Sequence, residues 1–152
     1  MYNPRIVKNM VQPSIVTLEA AETIAANDFV VVLTDGECEV AAAGEGIFGI
    51  ALEAATDGDD VRVVRAYPGM TVMMDNDNDS IAFAATHVGA RFDITGTTGA
   101  QLVDTSTVLQ DGSDAGQLFC VEYNPDMNGY EDDTSIGLYE IAEIQGLTNA
   151  LS

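Results

Sequence analysis

The most ligand-like run in the chain is DNDND at residues 75–79, where acids alternate with amides. Carboxylate and amide oxygens at alternate positions form the first half of a calcium-binding loop. The second half is absent, because Ser80 stands where such a loop needs glycine and Thr86 where it needs a bidentate glutamate. The run is therefore not an EF-hand. Two interpretations remain: a solvated acidic turn, or an irregular site for Ca²⁺ or Mg²⁺. The acids that would hold the ion are Asp75, Asp77 and Asp79.

Catalytic chemistry has few residues to use. His87 is the only histidine, and a serine, cysteine or threonine nucleophile needs an adjacent base. The triplet DTS at 104–106 is similar to the turn in which aspartic proteases pair two carboxylates, but a strand leaving into a polar turn explains it equally well. We therefore expect no enzymatic activity and no resident cofactor. A small hydrolase with a carboxylate pair stays an alternative, since the chain has 25 acids.

The charge balance narrows the choice of partner. The 25 acids face only five lysines and arginines, which gives a formal net charge of −20. Such a surface repels phosphate backbones and anionic lipids, so we expect neither nucleic acid nor a membrane as a direct partner. No apolar run approaches a membrane span, and the start MYNPRIVKNM has no continuous apolar segment. We expect a soluble protein that is made in the cytoplasm.

Short β-type runs separated by turn residues position these groups. The turns DG at 35–36 and DGDD at 57–60 separate neighbouring strands. Cys38 and Cys120 lie in strand-like segments and lack the spacing of metal ligands, which predicts two buried thiols. The segments 18–26 and 138–147 also fit a short helix, and 124–134 is predicted to be an exposed loop. The predicted strands are 14–19, 29–33, 37–42, 47–52, 61–67, 71–74, 81–84, 91–95, 101–103, 118–123 and 138–144.

These runs predict a mainly β fold, a compact antiparallel β-barrel or β-sandwich with at most one or two short helices. Residues 14–152 form the single β-rich domain. Residues 1–13 have little periodicity and predict an extended N-terminal arm. The arm carries Arg5 and Lys8, two of the five bases, so it is either a loose tail or a strap for an acidic partner surface.

The segment 29–74, FVVVLTDGECEVAAAGEGIFGIALEAATDGDDVRVVRAYPGMTVMM, resembles the small decoration or cement proteins on the heads of tailed viruses. The likeness lies in the order of parts: a Val-rich strand, an Ala/Val-rich strand, the run GIFGIALEAA, an acidic turn and a second Val-rich strand. Segments 88–95, 101–105, 118–122 and 138–145 are similar to the second half of such proteins. The resemblance covers about residues 14–146, and its motifs are built from glycine, valine and alanine.

The resemblance implies a structural virion protein on the outer capsid surface, made in the host cytoplasm, that clamps neighbouring subunits of the major capsid protein. It also implies a homo-oligomer, with a trimer favoured, and Met70, Met73 and Met74 are expected either in the core or in that interface. A calcium-dependent binding or adhesion module is the alternative, resting on the acids at 75–79. The predicted capsid-binding residues are Arg5, Ile6, Val7 and Lys8.

Overall fold

The computed structural model describes residues 14–110, 112, 115–124 and 136–146, and the backbone of 5–8. These residues form β-strands and one 3₁₀ turn, Ala85–His87. The prediction of a mainly β, antiparallel fold is confirmed. The strands are β1 Arg5–Lys8, β2 Ile15–Glu19, β3 Phe29–Val32, β4 Cys38–Val40, β5 Gly49–Ala51, β6 Asp60–Arg65, β7 Thr71–Met74, β8 Arg91–Thr95, β9 Leu102–Leu109, β10 Leu118–Tyr123 and β11 Gly137–Ile141.

Two antiparallel sheets pack into a sandwich-like body. One has six strands in the order β1-β7-β11-β10-β8-β9, and the other has five in the order β2-β6-β5-β3-β4. The predicted hairpin turn joins β3 to β4, and Gly36 at its tip has a φ of 91°, which glycine adopts at little cost. Gly49 on β5 has no room for a side chain, since a Cβ there would clash with the Val64 carbonyl oxygen.

Each sheet curls, and a parallel bridge joins two of its strands that lie four positions apart in the strand order. In the five-stranded sheet, the residue after β2, Ala20, bridges Cys38 of β4, and the Ala21 N–H donates to the Cys38 carbonyl at 2.9 Å. In the six-stranded sheet, residues that follow β7 bridge Val103 of β9. Four antiparallel steps separate the joined strands in each sheet, so the closing pair has to be parallel.

The curled sheets produce two apolar clusters. The smaller one lies within the five-stranded sheet and uses small side chains. The larger one lies where the two sheets face each other and holds Phe29, Phe92 and Tyr139. Strand β3 is apolar on both faces because it contributes to both clusters. The buried members of the small cluster are Ala20, Ile24, Val30, Cys38, Ala51, Ala55, Val61 and Val63.

Two strand predictions need correction. Residues 81–84 form no strand, because their backbone bonds locally: the Ala84 N–H donates to Nδ1 of His87 at 3.1 Å. The strand predicted at 101–103 runs on to Leu109, because the polar residues after Val103 alternate between a wet and a buried face, and Thr105 is fully buried. Within the predicted arm, Arg5–Lys8 form a strand at the end of the six-stranded sheet.

Neither possible helix is present where the structure describes the chain. Residues 18–26 form the end of β2 and a turn, and 137–141 form β11. The predicted loop 124–134 lies outside the described residues apart from Asn124. All three methionines at 70, 73 and 74 are buried, as expected for core packing.

Candidate interaction surface

The acidic run at 75–79 hydrogen-bonds to β9 and so helps to close the six-stranded sheet. The Val103 N–H donates to the Asp75 carbonyl and the Asp77 N–H donates to the Val103 carbonyl, each at 3.0 Å. Oδ1 of Asp77 accepts from the backbone N–H of Thr105 at 3.0 Å and from its hydroxyl at 3.1 Å. The Asp77 carboxylate therefore joins the turn to β9.

The other two acids of the run are engaged nearby. Oδ1 of Asp75 accepts the Asn76 N–H at 2.9 Å, and Oδ1 of Asp79 accepts the Ser80 hydroxyl at 3.1 Å. Among the residues that the structure describes, no group of three or more histidines, cysteines, aspartates and glutamates is placed to hold a metal ion. The irregular Ca²⁺ site stays a prediction, and the geometry gives the run a structural role without it.

The residues considered for catalysis also have structural partners. His87 is buried and its Nδ1 accepts a backbone N–H, while Asp104 accepts both the N–H and the hydroxyl of Ser106. Both thiols are unpaired and buried, as predicted. Burial raises the pKa of Cys120 to about 12, which leaves almost no thiolate at neutral pH.

The arm residues Arg5–Lys8 lie antiparallel to β7, with Arg5 opposite Met73 and Ile6 opposite Val72. A register shift between Ile6 and Lys8 follows. The arm's backbone is therefore paired on one side with its own domain. Its other side is an edge of the six-stranded sheet.

An acidic cluster, Glu19, Asp35, Glu37 and Asp57, occupies one end of the five-stranded sheet. The neighbouring Asp35 carboxylate does most to raise the pKa of Glu37, followed by burial and by the charges of Glu19 and Asp57. These acids come from the end of β2 and from two turns that the sequence separates. Their proximity is a product of the fold.

The cations near this sheet lie on β6. Arg62 forms a bidentate ion pair with Glu53, with its Nη2 3.0 Å from Oε2, and these hydrogen bonds lower the pKa of Glu53. The guanidinium of Arg65 lies 5.8 Å from the centre of the Phe48 ring. Positive charge near this sheet is thus held on β6, where Arg62 lies opposite Thr17 of β2.

Strand β2 lies at one end of the five-stranded sheet and presents an exposed edge. Ile15 at its start is 55 % exposed, the largest value among the large hydrophobic residues that the structure describes as exposed. Thr17 and Glu19 are exposed as well, whereas Val16 and Leu18 are half-buried against the small apolar cluster. The sequence predicted the strand but gave no sign that its edge is open.

No protein-family model matches the chain, and the search of curated proteins returned no match. Within the described part of the chain, no helix has the length and apolar character needed to cross a membrane.

Proposed function

We propose that this chain is a structural protein of a virus particle, which binds the outer face of an icosahedral capsid and holds neighbouring capsid subunits together. Its partner is the major capsid protein, and its own copies associate, with a trimer favoured. It acts by contributing contact area and catalyses no reaction.

The observation that carries the proposal is the order of parts between residues 29 and 74. The resemblance places a Val-rich strand, an Ala/Val-rich strand, a GIFGIALEAA segment, an acidic turn and a second Val-rich strand in that order. Strands β3, β4, β5 and β6 fall on those parts, and the DGDD turn leads into β6, which begins at Asp60. A body with two apolar clusters also suits a protein that has to remain rigid while bound.

The stabilisation follows from binding linkage. A protein that binds only the assembled lattice favours assembly by RT ln(1 + [L]/Kd), which is about 2.7 kcal/mol when the free concentration is about 100 times Kd. Binding across a seam adds buried area between neighbouring subunits, and repetition over the lattice multiplies the effect. The shell is then better able to resist the pressure of the packed genome.

The arm contributes charge to this contact. The arm carries two bases, Arg5 and Lys8, although the chain as a whole is strongly acidic. We expect them to pair with acids on the capsid, while β1 remains on the edge of β7. Capsid affinity should then fall as salt screens these pairs.

Removal of residues 2–12 tests the arm, and undiminished binding to undecorated shells would refute its role. The truncation also removes β1 and uncovers the edge of β7. A double variant, Arg5→Gln with Lys8→Gln, is therefore the cleaner test because it keeps the strand's backbone. It should bind shells more weakly than the unmodified chain at low salt and similarly at high salt. Equal binding at both would count against the arm.

A further inference from the structure

We propose that the outer edge of β2 receives an extended, basic segment of the capsid partner as an added strand. This inference rests on the proposed function for the identity of the partner. Hydrogen-bond directions, exposure and charge at β2 point to this edge.

The backbone of β2 alternates between its neighbour β6 and the outside. The Arg65 N–H donates to the Ser14 carbonyl, and the Ala20 N–H donates to the Asp59 carbonyl. Residues 14, 16, 18 and 20 therefore face β6, in the alternating pattern of an antiparallel pair. The backbone groups of Ile15 and Thr17 point outward, and no described residue bonds to them.

The edges at β4 and β9 are in part covered by the chain itself, whereas β1 leaves the other end of the six-stranded sheet as an edge. On β4, the N–H of Val40 donates to a Glu22 carboxylate oxygen at 2.9 Å, and the Cys38 carbonyl accepts from Ala21. On β9, Val103 exchanges hydrogen bonds with the acidic turn. These are common ways of preventing unwanted strand pairing.

The edge of β2 has no such protection over its first residues. Its sequence, IVTLE, contains no proline and no lysine, and its pairing with β6 runs without a bulge. Ile15 is exposed at its start. An added strand would pair with the outward groups of Ile15 and Thr17 and would cover the half-buried side chains of Val16 and Leu18.

Charge selects the occupant of this edge. Glu19, at the end of β2, lies opposite Asp60 on β6 and belongs to the acidic cluster. A strand added here needs lysine or arginine at the end that reaches Glu19. A second copy of this chain carries the same net charge of −20 and the same acidic end. A basic segment of a different protein is therefore the better fit.

Thr17→Pro tests the edge with little effect on the fold. Proline removes an N–H that makes no bond inside the described structure, and the neighbours of Thr17 keep their bonds to β6. Thr17→Ala is the matched control, since it removes the same side chain and keeps the N–H. We expect Thr17→Pro to weaken binding to undecorated shells about tenfold or more, and Thr17→Ala to bind within about twofold of the unmodified chain.

A second variant guards against a folding defect. Ile15→Lys adds a cation at an exposed position, where it should leave the melting temperature nearly unchanged and block strand addition. Circular dichroism and melting temperatures of all three variants establish that they fold. Weak binding by both Thr17→Pro and Ile15→Lys, with normal binding by Thr17→Ala, supports the inference.

The outcomes separate this inference from the proposed function. If the unmodified chain does not bind shells, the proposed function fails. If it binds and folded Thr17→Pro binds equally well, only the inference about β2 is overturned. Sedimentation of the protein alone tests whether a second copy of this chain occupies the edge. Self-association that Thr17→Pro abolishes would identify such a copy and would also overturn the inference.

Discussion

The side-chain amide of Gln145 pairs with both backbone groups of Val32. Its Oε1 accepts the Val32 N–H at 2.8 Å, and its Nε2 donates to the Val32 carbonyl at 2.7 Å. The amide thus hydrogen-bonds both backbone groups of the last residue of β3, as a neighbouring strand would. Gln101 and Gln117 make comparable bonds with the backbone of segments that are distant in sequence.

We predict that Gln101→Ala lowers the free energy of unfolding by about 3 kcal/mol, because it leaves buried backbone groups without partners. Gln101 is fully buried, and its amide bonds to Phe29 and to the Ala41 carbonyl. Urea denaturation measures the change. Gln110→Ala is the control, since this exposed amide makes one bond, to Thr86, and its loss should cost about 0.5 kcal/mol or less. Equal losses would contradict the role given to the buried amide.

The Asp77 carboxylate gives a test of the acidic run. Asp77→Ala removes the bonds to Thr105 and should lower the free energy of unfolding by about 1–3 kcal/mol. Asp79→Ala removes one exposed contact with Ser80 and should change it by about 0.5 kcal/mol or less. Chemical denaturation with and without EDTA makes the measurement. Because hydrogen bonds explain the run, EDTA should leave the melting temperature unchanged, whereas a fall that Ca²⁺ reverses would establish a metal site.

Asp28 predicts a pH dependence of stability. This buried carboxylate accepts the N–H groups of Ala25 and Gly99, each at 2.9 Å, but burial outweighs these bonds and raises its pKa above 3.8. The folded state then holds the proton more tightly than the unfolded state. The contribution of Asp28 to the free energy of unfolding is therefore largest at acid pH and declines as pH rises through the folded-state pKa.

The comparison that isolates this group is Asp28→Asn, which cannot titrate there. The stability of the unmodified chain relative to Asp28→Asn should fall between about pH 3 and about pH 7, measured by urea denaturation. A relative stability that rises over this range would mean that the pKa of Asp28 is lowered in the folded protein.

Salt should stabilise the folded chain. The net charge of −20 opposes compaction through repulsion between like charges. The Debye length falls from about 30 Å at about 0.01 M salt to about 3 Å at about 1 M, which screens this repulsion. We predict that the melting temperature of the isolated protein rises across this range with NaCl and with KCl alike. A melting temperature that falls with salt would show that attractive ion pairs, such as Arg62 with Glu53, dominate.

Local patterns predicted most strands, because alternation and turn residues act within a few positions. The run at 71–74 corresponds to β7, and the turn at 35–36 forms the hairpin of β3 and β4. The extension of β9 was missed because Asp104 and Ser106 looked like a turn, although they form the wet face of a strand whose other face buries Thr105.

Relationships between distant segments were not predictable in this way. Asp77 and Thr105 meet only because the six-stranded sheet curls, and the pairing of the arm with β7 depends on which strand lies at that edge. The open edge of β2 is of the same kind. Its sequence identifies a strand, while the absence of a neighbour at Ile15 and Thr17 is set by the tertiary arrangement of the described strands.

The most direct test of lattice binding is co-sedimentation of the full chain with purified capsid shells that lack decoration. The expected result is saturable binding with a fixed copy number per capsid subunit, and shells that withstand heating better once the protein is bound. If the folded chain stays in the supernatant at low and at high salt, and shell stability is unchanged, the chain is not a capsid-binding protein.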